Sequence, residues 1–235
     1  MEPTGRLILI PNLLGPDSKE LTIPPGVSNT INQLRHFIVE NNKTARRHLR
    51  TIGFESSFDD VELYSIGKHS DLSEYPTYLD PAIQGEDIGL FSEAGMPGIA
   101  DPGAEIVQLA HDKGIRVTPL TGPSSILMAL ICSGMNGQQF SFHGYLPKDK
   151  RARIKKLLQL EKSVRSFGSQ IFMETPYRNN QLLRDILDNC SNSTKLCVAC
   201  DITLTSEFIK TKTISEWKQN PLDLNKRPAV FIIGN

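Results

Sequence analysis

Two short segments concentrate residues able to do chemistry. Ser92-Glu-Ala-Gly-Met-Pro-Gly-Ile-Ala-Asp-Pro-Gly103 packs three glycines and two prolines into twelve residues, and Leu120-Thr-Gly-Pro-Ser-Ser125 follows it. Glycines let backbone approach a ligand closely and accept positive φ, while prolines stiffen the loop. Two backbone-rich walls with few large side chains suit a flat, polar, nucleotide-like molecule. Asp101-Pro-Gly also reads as an ordinary helix start, with Asp101 as N-cap and Pro102 at the first helical position. Ser124 reads in the same way as a cap for the next helix. A third segment, Lys148-Asp-Lys-Arg-Ala-Arg-Ile-Lys-Lys156, holds six basic residues and one acid, although 26 Lys+Arg balance 26 Asp+Glu over the 235 residues. These cations crowd the start of a predicted helix, where the macrodipole disfavours positive charge. Bound phosphate would remove that conflict, which makes Lys150, Arg151, Arg153, Lys155 and Lys156 candidates for binding RNA. The competing reading is a solvated helix face. Lys43, Arg46, Arg47 and Arg50 form a second, weaker patch.

Other chemistries find no support. Cys197-Val-Ala-Cys200 has the spacing of a metal or redox pair, but it lies in a predicted strand, where an offset of three sends the two thiols to opposite faces. With Cys132 and Cys190 they read as small core residues. No G-x-G-x-x-G follows the first strand, and neither G-x-x-x-x-G-K-[ST] nor G-x-S-x-G occurs. His36, His48, His69, His111 and His143 are scattered without paired metal spacing, so no metal is expected. Zero net charge argues against a generic polyanion binder and leaves local patches open. Leu7–Ile10, the longest apolar run near the start, is far too short for a signal peptide or a membrane span, which implies a soluble, cytoplasmic chain.

The elements that must position these loops follow from the pattern. Arg6–Ile10 is a strand stopped by Pro11, and 21–25 reads as extended. Residues 30–39 are apolar at Ile31, Leu34, Phe37 and Ile38, which predicts a helix. A short basic helix over 43–52 ends at Gly53. A strand at 87–92, a helix over 101–113, a strand at 115–120 and a helix to Ser133 make a βαβα unit, hence a parallel sheet. Both loops then sit at carboxyl ends of parallel strands, where open α/β sheets place their ligands. The second half alternates more loosely: strand 140–144, helix 151–160, strand 170–173, helix 177–189, and strands at 196–201, 208–213 and 229–233. The predicted boundary falls near Leu120, giving α/β domains over 1–120 and 121–235.

The loops also carry a resemblance. Ser92–Gly103 resembles the Ser-Asp-Ala-Gly-Thr-Pro…Asp-Pro-Gly loop of the tetrapyrrole methylase superfamily, and Val117–Ser125 its Pro-Gly-Pro segment. Phe142–Pro147, Phe172–Arg178 and Leu204–Glu207 resemble further motifs in the same order, closest to the branch that methylates ribose 2′-oxygens of small-subunit ribosomal RNA. The resemblance implies two α/β domains with S-adenosylmethionine in the cleft between them, in a homodimer. It implies that Pro11, Ser92, Glu93, Ala94, Gly95, Pro97, Gly122, Pro123, Ser124 and Ser125 line the cofactor from one side. Met173, Glu174, Pro228 and Ala229 would face it from the other, with ribosomal RNA as partner. The chain departs from the branch at Glu93 (for Asp), Met96 (for Thr), Glu40-Asn-Asn-Lys43 (for Glu-Asp-Thr-Arg), Asn12–Pro16 and Arg227-Pro228. Glu40 and Glu93 are the candidate bases. Methylation of a tetrapyrrole or other small acceptor, and a non-catalytic cofactor- or RNA-binding module, are the alternatives.

Overall fold

The computed structural model describes residues 5–16, 18–67, 70–220 and 222–234; His69 lies outside them. The chain divides into two compact units, Met1–Ser124 and Ser125–Asn235.

The first unit runs β1 (Arg6–Ile10), α1 (Lys19–Thr22), α2 (Pro25–Ile31), β2 (His36–Val39), α3 (Asn42–Ile52), β3 (Glu62–Ser65), a 3-10 segment (Leu72–Leu79), α4 (Asp80–Ile83), β4 (Ile88–Phe91), α5 (Ala104–Asp112) and β5 (Arg116–Pro119). Its sheet has the order β3-β2-β4-β1-β5. Every pairing is parallel. Alternate residues feed two cores. Ile8, Ile10, Phe37, Val39 and Phe91 join one, and Leu7, Ile38, Ile88 and Leu90 join the other. A sheet buried on both faces reads as short apolar runs rather than as polar–apolar alternation.

That double burial overturns the helix expected over 30–39. Helix α2 stops at Ile31, and His36-Phe-Ile-Val39 is a strand between β3 and β4. Apolar residues at 31, 34, 37 and 38 fit helical spacing, yet pairing on both edges and burial on both faces favour the strand. The extended reading of 21–25 is also corrected, because α1 and α2 occupy most of it. Helix α5 begins at Ala104 with Gly103, not Asp101, at its N-cap. Gly98, Ala100 and Gly103 all have positive φ, so the loop runs on past Asp101 before the helix can start.

The second unit runs α6 (Ser125–Ser133), β6 (Phe140–Tyr145), α7 (Lys150–Phe167), β7 (Ser169–Met173), α8 (Asn179–Asn189), β8 (Lys195–Cys200), β9 (Phe208–Thr213), α9 (Ile214–Gln219) and β10 (Ala229–Gly234). Its order is β6-β7-β10-β8-β9. Strand β6 is parallel to β7, while β10 is antiparallel to both β7 and β8. Leu157, Leu182, Trp217 and Ile214 cover one face, over Phe172, Val198, Cys200 and Phe231. Trp217 Nε1 donates to the Leu196 carbonyl at 2.9 Å, which satisfies the one polar atom of that buried ring. Cys200 belongs to this core, while Cys197 is turned toward Thr211 and Cys132. Burial pushes the thiols up, Cys200 to about 11 and Cys190 to about 12, so they stay protonated at neutral pH.

Candidate functional site

Three loops meet at the carboxyl edge of the parallel sheet. Strand β1 lies between β4 and β5, so its exit, Pro11-Asn12, separates the two glycine-rich loops. Asn12 and Gly95 form an isolated antiparallel bridge, N–H to O at 2.8 Å and 3.1 Å. Gly95 has φ 69°. A Cβ built there would stand 3.6 Å from the Pro123 carbonyl oxygen. Gly122 presses on Pro11 so closely that its own Cβ would lie 2.1 Å from the proline Cβ. Pro11, Asn12, Ser92, Gly95, Pro97 and Pro123 are buried; Glu93, Gly122, Ser124 and Ser125 are half-buried and Ala94 is exposed. Within the first unit the structure thus brings Pro11, the Ser92–Pro97 loop and the Gly122-Pro123 turn together.

A carboxylate centre sits beside them. Glu40 follows β2, Glu93 follows β4, and Asp101 closes the same loop. The Glu93 N–H faces Glu40 Oε1 at 3.5 Å. Thr44 Oγ1 donates to Glu93 Oε1 at 2.5 Å. Burial, then the charge of Asp101, holds Glu40 above the ordinary carboxylate range, with the Glu93 N–H acting in the other direction. Burial, then the charge of Glu93, raises Asp101 against the opposing hydrogen bond from Ser92. Among the described residues the ion pairs give these three acids no Lys or Arg partner. His48 Nδ1 stands 4.0 Å from Glu93 Oε2. Burial lowers the His48 pKa against the pull of Glu93, and Arg47 lowers it further. Asn12 Nδ2 lies 3.1 Å from His48 Nδ1 and donates to the Glu93 carbonyl at 2.7 Å. Asn12, Thr44, His48 and Asp101 are members of this centre that sequence reasoning missed. Only the Asp101 loop carried a signal, and its cap-like Asp-Pro-Gly obscured it.

In the second unit, the register pairs Met173 with Val230 and Cys200 with Ala229, so Met173, Glu174, Pro228 and Ala229 gather at one end of that sheet. Glu174 is 5% exposed. It accepts from the Thr175 N–H at 2.7 Å and from the Arg178 guanidinium. Beyond β8, Asp201 and Thr203 have φ of 53° and 73°. Asp201 accepts from Arg227 Nε at 2.8 Å, which fixes the approach to β10.

The basic run needs correction at one position. Asp149 caps α7, its side chain accepting from the Ala152 N–H. Arg153 is 2% exposed. Its Nε and a terminal nitrogen reach Asp185 Oδ2 at 2.8 Å and 2.6 Å, and it also donates to the Lys148 carbonyl. A guanidinium this deeply buried against a carboxylate is closed to phosphate in solvent, so Arg153 is a core ion pair rather than a surface contact for RNA. Lys150, Arg151 and Lys155 are exposed and Lys156 is half-buried.

The description Tetrapyrrole (Corrin/Porphyrin) Methylases matches residues 19–218. The chain belongs to this methylase family. Among its relatives, "Ribosomal RNA small subunit methyltransferase I" of Vibrio cholerae is 34% identical over 156 residues, 66% of this chain and 53% of that protein. The protein of the same name in Xylella fastidiosa is 29% identical over 212 residues, 90% of this chain and 75% of the relative. That of Escherichia coli O157:H7 is 30% identical over 176 residues, 74% and 60% respectively. The chain therefore spans between half and three quarters of these relatives. In fold it is similar to the methyltransferase CobJ (TM-score 0.64, 16% identity, 98% of this chain and 94% of the other). It is also similar to uroporphyrin-III-C-methyltransferase from Thermus thermophilus (TM-score 0.56, 13% identity, 98% and 92%). Among the described residues no helix is long and apolar enough to cross a membrane.

Proposed function

We propose that the chain transfers a methyl group from S-adenosylmethionine to a ribose 2′-hydroxyl of small-subunit ribosomal RNA. The observation that carries this reading is the half-buried trio Glu40, Glu93 and Asp101, beside the Pro11, Gly95 and Gly122 loops and without a Lys or Arg partner among the described residues. Burial first, and neighbouring acids second, raise Glu40 and Asp101, so negative charge at this centre is costly without a cation nearby. A sulfonium cation next to them supplies one, so the donor set fits the family's methyl donor. The acceptor class rests on the printed names of the relatives.

S-adenosylmethionine, when bound, supplies a methyl carbon on positive sulfur. The chain has to align the acceptor oxygen behind that carbon and receive its proton. Glu40 or Glu93 in the carboxylate centre would act as the base, taking the proton that the acceptor hydroxyl gives up on methylation. Burial makes Glu40 more basic than a free glutamate, which suits it to the role. In-line transfer gains chiefly from alignment, so the rigid loop contacts matter as much as the base. The exposed α7 cations, a homodimer and a cytoplasmic setting complete the proposal. Met173, Glu174, Pro228 and Ala229 are proposed as further cofactor contacts.

Titration calorimetry with S-adenosylmethionine, followed by transfer of labelled methyl to ribosomal RNA, tests the reading. Binding near micromolar, roughly −8 kcal/mol, is expected, with label on ribose. Binding with label on a tetrapyrrole and none on RNA would assign the acceptor to the small-molecule class.

A further inference from the structure

Helix α3 carries Lys43, Arg46, Arg47 and Arg50 and no acidic residue, a charge of +4 within eleven residues of a chain with no net charge. At 100° per residue these side chains fall on one continuous stripe, because positions three and four apart are neighbours on a helix. The opposite face, Ala45, Leu49 and Ile52, is buried in the core. Between the two faces runs a third row, Thr44 and His48, which reaches Glu93 and Asn12. The helix therefore presents cations on the side next to the row that enters the carboxylate centre.

All four cations are exposed, and among the described residues none takes part in an ion pair. Arg46 and Arg50 stand over an aromatic ring, with Arg46 at 5.6 Å from the Phe58 centroid and Arg50 at 4.6 Å from it. Arg50 also donates to the Phe54 carbonyl at 2.6 Å. Stacking orders these guanidinium groups and leaves their charge uncancelled. Lys43 and Arg47, one turn apart, have no aromatic ring beneath them and are the two nearest in sequence to Thr44 and His48, with an Arg47 terminal nitrogen 3.4 Å from His48 Nε2. By contrast, the α7 run loses Arg153 to Asp185 and has its first turn capped by Asp149.

We infer that the α3 stripe is a phosphate track for the RNA acceptor, with Lys43 and Arg47 neutralising the phosphates that flank the nucleotide presented to Glu40 and Glu93. This rests on the RNA reading proposed above and adds the surface that holds the strand. Unpaired cations adjoining a site for an anionic polymer gain by releasing the polymer's counter-ions.

The test is a salt titration of binding to a small-subunit ribosomal RNA fragment, comparing wild type with K43Q/R47Q and with the α7 variant K150Q/K155Q. Each single-strand phosphate contact contributes about −0.7 to the log–log slope, which is about fivefold in affinity at 0.1 M salt. K43Q/R47Q should therefore lower the slope by about 1.4 and weaken binding about 25-fold. S-adenosylmethionine affinity and the melting temperature should stay near wild type, which excludes misfolding as the cause. An unchanged slope in K43Q/R47Q, or a fall in K150Q/K155Q alone, would overturn the α3 track while RNA methylation stands. A wild type that neither binds nor methylates RNA defeats the functional reading itself. Replacement of RNA by polyglutamate as an equally strong, equally salt-dependent ligand would show a patch for acidic protein and overturn the track as well.

Discussion

Gly122→Ala tests the joint between the loops through a single methyl group. Gly122 does not have the left-handed backbone of Gly95 or Gly98, so alanine introduces no backbone strain there. It introduces contact: the new Cβ would lie 2.1 Å from Pro11 Cβ and 2.5 Å from Pro11 Cγ. Carbon atoms prefer about 3.5–4.0 Å, so one wall must retreat by roughly 1.5 Å. A flexible side chain would swing away, but the neighbour is a proline ring fixed between β1 and the Asn12–Gly95 bridge. Overpacking of this kind costs about 1–3 kcal/mol. A displacement of about 1 Å in a positioning loop lowers transfer rates about 100-fold. Urea unfolding reads the first effect, a labelled-methyl transfer assay reads the second, and cofactor calorimetry shows whether the binding loops themselves have moved. The reference is Gly98→Ala, whose Cβ meets nothing within 4 Å while φ is +77°. Backbone strain alone should cost it about 1–2 kcal/mol, with smaller loss of cofactor affinity. Gly122→Ala that keeps both stability and cofactor affinity at wild-type values would refute the joined-loop account.

Three further outcomes are expected. Glu40 and Asp101 have raised pKa values, so they are partly protonated in mildly acidic solution, and a cation beside them favours the carboxylate forms. S-adenosylmethionine affinity should therefore rise with pH through the carboxyl range, up to about tenfold per pH unit for each proton released. Its demethylated product, with neutral sulfur, should respond much less; equal pH dependence for both would contradict a sulfonium at this centre. Asp185→Ala should destabilise the second unit by about 3–5 kcal/mol, because Arg153 would remain buried without its partner. Conversion of both to well-packed apolar residues should recover much of that loss in denaturant midpoints. Cys200→Ala should leave cofactor affinity and metal content unchanged in calorimetry and elemental analysis, since Cys197 and Cys200 face opposite sides of β8.

What the sequence revealed and what it hid follow from the range of the interactions. Strands β1, β4, β8 and β10 were legible as apolar runs bounded by glycine, proline or polar residues, and β5, Arg116–Pro119, from its place between two helices. Strand β2 was not, because His36–Val39 continues an apolar spacing that fits a helix equally well; only its pairing with β3 and β4 distinguishes the two. Asp101 carried a local cap signature, and the competing contact with Ser92 depends on three left-handed residues around it. Arg153 looked like one cation among six because Asp185 lies 32 residues away. The glycine loops announced themselves by composition. His48 and Asn12, separated by 36 residues, became partners only once β1 and α3 were placed side by side.

The central claim, methyl transfer to ribosomal RNA, is tested most directly by mass spectrometry of small-subunit ribosomal RNA from cells with and without the gene. The account predicts that one ribose methyl group disappears on deletion. It should return with the wild-type gene and stay absent with Gly122→Ala. An identical set of ribose methylations in both strains would contradict it.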